Sequence, residues 1–184
     1  NLIMGRVRKN RFQVDGLGDR HQQIVDGATT NYTLDLAAGL TQVLDDGTNT
    51  YLYGNGRIAQ AGSTTEYFLG DALGSVRQLA AQAGVVTLTQ SYAPYGDVVS
   101  AVGTSQTSYA FTGESRDANG LTYLRARYLD SSTGRFTQRD PSGLEANLYL
   151  YARANPLIYT DASGLFSKEL LITLVSAKIG NFFC

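Results

Sequence analysis

The chain has 184 residues, 43% of them apolar and 17% charged, and its net charge is −1. That length suits one domain with a real core. With neither a basic stripe to track phosphates nor an acidic tail, nucleic acid is not an expected partner. Twelve Tyr and 20 Gly stand against no Trp, three Pro and one Met. Tyr favours half-buried strands and Gly favours turns of positive φ, so composition predicts an all-β chain with many short turns. Cys184 is the single cysteine, so no intrachain disulfide can form, which by itself does not fix the compartment. The chain opens at Asn1 without a basic segment followed by an apolar run. We read it as a piece of a longer protein, so the missing signal says nothing about export.

From residue 12 to about residue 100 a degenerate repeat is visible. Aromatic-x-apolar units start at Phe12, Tyr32, Tyr51 and Tyr67. Gly18, Gly39, Gly56 and Gly74 follow them, and Gly27, Gly47, Gly62 and Gly84 fall between. The pairs Asp26-Gly27 and Asp46-Gly47 are hairpin signals, because a type I′ turn needs positive φ. Each repeat therefore reads as strand, turn, strand, turn, with units that cannot bury their apolar faces alone. Tyr51 and Tyr53 are expected on one face, as are Val86, Leu88 and Tyr92. His21 is the lone histidine and has no thiol or second imidazole near it, so no metal site is expected. Gly70 to Gly74 lacks the following lysine of a phosphate loop, and no cofactor is expected.

Residues 101 to 111 are small and polar and predict a loop. The run Tyr123-Leu124-Arg125-Ala126-Arg127-Tyr128 then alternates strictly, which places Tyr123, Arg125 and Arg127 on one face of a strand. Those arginines fit a solvated surface, and they equally fit binding of carboxylates or carbonyl oxygens. Two near-copies of one pentad follow, Asp140-Pro-Ser-Gly-Leu144 and Asp161-Ala-Ser-Gly-Leu165. Each reads as a tight turn in which Asp accepts backbone N–H bonds and Gly closes the loop. Ser142 and Ser163 have no histidine in a triad-like pattern. From Lys168 to Phe183 the chain is apolar and helix-like, but Lys178 and Asn181 interrupt it, and it is short for a membrane span.

These segments carry a resemblance. Tyr67 to Arg77, Tyr92-Ala-Pro-Tyr-Gly96, Phe111-Thr-Gly-Glu114, Gly120 to Tyr128, Gly134 to Pro141, Asn147 to Tyr151, Asn155-Pro156 and Asp161 to Leu165 follow in order. Together they resemble the Rhs repeat-associated core domain preceded by YD repeats, over about residues 10 to 165. The resemblance implies antiparallel hairpin repeats forming a curled sheet, a segment of a hollow shell, over residues 1–100. It implies an irregular core-domain plug over 101–165 and the start of a variable, helical C-terminal region over 166–184. It further implies a shell that encapsulates a C-terminal passenger, typically a polymorphic toxin. The protein would be bacterial and secreted or on the cell surface, with secretion-system or cell-surface components as further partners.

In that family an aspartyl-protease-like centre cuts the chain after the final pentad's leucine, here between Leu165 and Phe166. Asp140 with Arg139 matches the first acidic motif and Asp161 belongs to the second. Two close aspartates do not both ionise easily, so one activates a nucleophile and the other protonates the leaving nitrogen, in a single intramolecular turnover. Arg139 would orient a carboxylate or offset negative charge. The second pentad has Ala162 where the family prefers proline, which costs preorganisation on the order of 0.4–1 kcal/mol. A turn-only role for both pentads stays open. So does a non-catalytic structural or adhesive surface protein whose Tyr-rich strands bind carbohydrate.

Overall fold

The computed structural model describes residues 10–143 and 146–169. Three short antiparallel strands come first: β1 (Asn10–Val14), β2 (Arg20–Val25) and β3 (Ala28–Asn31). The chain then kinks at Tyr32, whose N–H donates to His21 O at 2.8 Å. It starts a second sheet of eight strands: β4 (Thr33–Asp35), β5 (Gln42–Asp45), β6 (Thr50–Gly54), β7 (Gly56–Ala61), β8 (Thr65–Gly70), β9 (Val76–Ala81), β10 (Val86–Tyr92) and β11 (Val98–Gly103). Each strand pairs with its sequence neighbour, so the sheet is an uninterrupted antiparallel meander. Register shifts recur at Thr33/Leu34, Leu52/Tyr53, Leu69/Gly70, Val86/Leu88 and Ser91/Tyr92. Such bulges add local right-handed twist, and the result is an all-β sheet of hairpins, as the repeat pattern predicts, curled as the resemblance implies.

One face of this sheet is the inner one. Tyr51, Val76, Leu79 and Leu88 are buried there with Tyr109, and Tyr53 and Phe68 pack against them. Leu52, Leu69, Val99 and Val102 are exposed. Tyr51 and Tyr53 share the inner side as expected. Val86 and Leu88 do not, because the bulge between them turns Val86 outward. The loop predicted from residue 101 begins later, since β11 runs to Gly103 as an edge strand exposed along its whole length.

A small module packs on the inner face. It begins with a tight turn at Phe111–Gly113 and continues as β12 (Ser115–Arg116), β13 (Thr122–Leu124), β14 (Arg127–Asp130) and β15 (Arg135–Phe136). Two further strands, β16 (Tyr159–Thr160) and β17 (Lys168–Glu169), pair with each other. Phe111, Leu124, Leu129, Phe136, Tyr151 and Ala152 form its core. Helix is not what Lys168 and Glu169 adopt: the backbone groups of this pair bond to β16. The rest of the predicted helix lies outside the described residues, as does Leu144 of the first pentad.

The strand expected over Tyr123 to Tyr128 is a hairpin instead. Leu124 pairs with Arg127, leaving Arg125 and Ala126 as a two-residue turn. Nothing in Arg-Ala signals a turn, and Arg125 takes φ +58, a conformation that glycine usually supplies. The hairpin sends Arg125 and Arg127 to different partners.

The module is tied to both sheets. Val76 N donates to Ala110 O at 2.9 Å and Thr112 N to Ser75 Oγ at 3.0 Å. Gly96 lies so close to the Phe111 ring that a Cβ would sit 2.6 Å from it. Arg57 of β7 stacks 3.1 Å from the Tyr109 ring centre and donates to Gly113 O at 2.8 Å. From the first sheet, Arg20 pairs with Asp117 at 2.8 Å, both side chains almost fully buried. Arg20 also lies 4.2 Å over the Tyr123 ring.

Candidate self-cleavage site

Residues 140–143 and 161–164 of the two pentads fold into the same turn. In the first, Ser142 N and Ser142 Oγ donate to Asp140 Oδ1 at 2.8 and 2.7 Å. In the second, Ser163 Oγ donates to Asp161 Oδ1 at 3.0 Å. Gly143 and Gly164 take matching φ values of +66 and +69. Asp tolerates this because its carboxylate satisfies backbone donors just downstream. In each turn Oδ1 is the capping atom, which leaves Oδ2 for a second partner.

That partner is shared. Arg127 Nη1 lies 3.9 Å from Asp140 Oδ2 and Arg127 Nη2 lies 3.4 Å from Asp161 Oδ2. All three side chains are at most 2% exposed. The guanidinium is held in place by Leu148 O at 3.2 Å, by Gly164 O, and by the Phe136 ring 3.6 Å away. Among the described residues, Asp140 Oδ2 accepts no hydrogen bond. Burial pushes the Asp140 carboxyl up, but the Ser142 hydroxyl and N–H, Arg127 and the Gly143 N–H together hold it below the usual carboxylate range.

Asp161 reaches further along its own chain. Its Oδ1 accepts the N–H of Leu165 and the N–H of Phe166, each at 3.2 Å. The Phe166 nitrogen is the amide nitrogen of the Leu165–Phe166 bond. Phe166 itself is half exposed, and a cavity of about 800 Å³ opens against Ser163, Leu165 and Phe166, walled by Tyr53, Phe68, Glu114 and Arg125.

Asp140, Asp161, Leu165 and Phe166 are thus drawn into one neighbourhood. Arg139 is exposed; the guanidinium between the two aspartates belongs to Arg127. From the sequence, Arg127 is expected only as one of two arginines on a strand face. A charged residue inside an alternating apolar run was the available signal. Its partners lie 13 and 34 residues downstream, where no local pattern could reveal them. Of the two readings open for these arginines, binding of carbonyls and carboxylates is the one observed.

The fold and this site define a curled antiparallel repeat sheet carrying a small module with two buried, cation-linked aspartates. No family model matches the chain. It is 36% identical over 95 residues to toxin subunit YenC2 of Yersinia entomophaga, covering 48% of this chain and 10% of that protein. It is 31% identical over 116 residues to salivary gland surface protein 1 of Aedes aegypti, covering 61% of this chain and 3% of the relative. Among solved structures, TcdB2-TccC3-TEV superposes with a TM-score of 0.72 over 90% of this chain and 9% of that one, at 21% identity. The chain therefore spans a tenth or less of the length of these proteins. The superposition, at that identity, shows the fold alone.

Proposed function

We propose that the chain is the C-terminal core of an Rhs/YD-repeat shell protein that encloses a C-terminal passenger and cuts itself once, between Leu165 and Phe166. In this reading residues 1–100 are repeat wall, 101–165 the core module, and the variable region begins at 166. The passenger is a toxin region, as the name of the YenC2 relative suggests, and the protein is exported. The observation that carries the cut is the 3.2 Å bond from Phe166 N to Asp161 Oδ1, on an aspartate that shares Arg127 with Asp140.

The chemistry follows from those positions. Asp140, kept ionised, takes a proton from a water whose oxygen bonds to the Leu165 carbonyl carbon. The carbonyl π electrons move to its oxygen, and Arg127, bonded to the adjacent Gly164 carbonyl, offsets the charge. Collapse breaks the C–N bond, and the Phe166 nitrogen leaves with the proton that Asp140 took from the water, passed on through Asp161, whose Oδ1 already bonds to that nitrogen. Asp161 changes from acceptor to donor at an atom already in hydrogen-bond reach of the leaving nitrogen. Carrying the scissile bond in the same chain removes any bimolecular cost. Arg127 takes here the role that the resemblance gives to Arg139.

The test is expression of a form extending well past Phe166, read by intact mass under native conditions. A break after Leu165 that disappears in Asp140→Asn is the expected result. A wild-type chain that stays whole rejects the protease role. A second reading, a non-catalytic surface protein, is favoured by the Aedes relative's name and by the use of both Oδ1 atoms as turn caps. Under it the wild-type chain would stay intact while carbohydrate binding would persist in Asp140→Asn.

A further inference from the structure

We infer that Arg125 is a positioning residue that fastens the segment preceding the Leu165–Phe166 bond to the repeat sheet; the inference rests on the self-cleavage reading above. The guanidinium of Arg125 joins three separate parts of the chain. Nη1 donates to Ala162 O at 2.6 Å and to Glu114 Oε2 at 3.0 Å, and Nη2 donates to Thr41 O at 3.2 Å. Thr41 lies in the β4–β5 connection of the eight-stranded sheet, Glu114 follows the module's first turn, and Ala162 sits three residues before Leu165.

The neighbouring donors complete a clamp. Ala126 N donates to Ser163 O at 3.2 Å and Arg127 Nε donates to Gly164 O. Arg125, Ala126 and Arg127 therefore hold the carbonyls of 162, 163 and 164 in succession. One hairpin thus grips the three peptide carbonyls that directly precede Leu165. Arg127 also serves the aspartates, whereas the contacts of Arg125 run to Ala162, Glu114 and Thr41. Its contribution is to place the backbone.

Two features show that the placement is costly enough to call for a reason. Arg125 occupies the first position of a two-residue hairpin turn at φ +58, where glycine is sterically cheapest. A bulky residue in that conformation carries strain of roughly 1–3 kcal/mol, and such strain persists where the surroundings over-determine it. In addition, Ala162 lacks the ring that would preset its own φ. The tether supplies from outside the stiffness that the second pentad lacks. Because Thr41 directly precedes β5, the segment is held in register only when the sheet is folded against the module.

The test uses the long form in two backgrounds. In the wild-type background, Arg125→Gly relieves the backbone and removes the guanidinium, and the first-order cutting rate should fall about 10²-fold, the scale expected for misplacing a reacting group by about 1 Å. Arg125→Lys, whose single ammonium cannot serve three partners, should fall between. In the Asp140→Asn background, where no cutting occurs, Arg125→Gly should lose at least tenfold of the exchange protection at the Leu165 and Phe166 amides, with β13 and β14 still protected. Cutting by Arg125→Gly within twofold of wild type, or unchanged protection at those two amides, overturns the inference. If Arg125→Gly loses protection throughout β13 and β14, Arg125→Lys decides, and a wild-type rate there overturns it. A wild-type chain that never cuts rejects the protease role alone, and the exchange measurement then decides whether the tether exists.

Discussion

Asp161 accepts the N–H of Phe166, five residues on in the same chain, at 3.2 Å. A turn-capping bond of this kind is ordinary chemistry for aspartate. Here it also sets a carboxylate beside the nitrogen that must leave if the chain is cut after Leu165. The same atom caps Leu165 N and Ser163 Oγ, so Asp161 holds three donors at once. An amide at this position can still accept them. Asp161→Asn should therefore keep the fold while removing the carboxylate that passes the proton to the leaving nitrogen, and the cutting rate followed by intact mass should drop by roughly 10²–10⁴-fold. A matching loss of thermal stability would instead mark Asp161 as a cap alone.

Gly143 and Gly164 occupy the same position of the two turns at nearly the same φ, but their surroundings differ. A Cβ on Gly143 meets nothing within 4 Å, whereas on Gly164 it would overlap Leu124 O and lie 2.9 Å from Arg127 N. Gly143→Ala should cost only the left-handed backbone preference, about 1–2 kcal/mol. Gly164→Ala should cost that plus displacement of the turn from β13 and β14, typically 1–3 kcal/mol more for overpacking. Urea unfolding of the two variants gives the comparison.

Arg127 is the cation placed between two buried aspartates. Arg127→Met should destabilise by about 3–5 kcal/mol, because the aspartates are left buried without their cation. Restoring stability by adding Asp140→Asn to that variant would show that the penalty is electrostatic rather than a packing loss. Chemical denaturation at neutral pH reads both.

Asp140 and Glu114 should tilt stability in opposite directions with pH. The carboxyl of Asp140 is held below its ordinary range, so its contribution is present above the ordinary carboxylate pKa and is lost as pH falls through the lowered value. Burial pushes Glu114 up, against the opposing pull of Arg125 and Arg57, and the net direction is upward. The folded chain then holds this proton more tightly than the unfolded one, so stability is lost as pH rises from the ordinary glutamate value through the raised one. Subtracting the stability profile of Asp140→Asn from that of wild type should give a difference that grows with pH on the acid side. The corresponding subtraction for Glu114→Gln should give one that shrinks above the ordinary glutamate value.

Ala162→Pro should stabilise the second turn by about 0.4–1 kcal/mol, since the turn closes through Gly164 N to Asp161 O and does not use the Ala162 N–H. The same change should raise the cutting rate, and it should soften the effect of Arg125→Gly, because a stiffer segment depends less on its tether. Rates of the single and double variants measure that coupling.

The β-repeat organisation was legible in the sequence because its causes are local. Period-two alternation put Tyr51 and Tyr53 on one face, which the fold makes the inner one, and Asp-Gly pairs marked turns, with Gly27 and Gly47 at positive φ. The two Asp-x-Ser-Gly turns were legible for the same reason: each is closed by its own Asp and Ser within a few residues. Tertiary structure alone decided that Arg125-Ala126 is a turn rather than mid-strand. The residues carry no turn preference, and the conformation is fixed by bonds to Ala162, Ser163 and Gly164. It also decided that Arg127, and not the adjacent Arg139, stands between Asp140 and Asp161. A buried guanidinium goes where several distant acceptors converge, and that convergence exists only once the module has folded against the sheet.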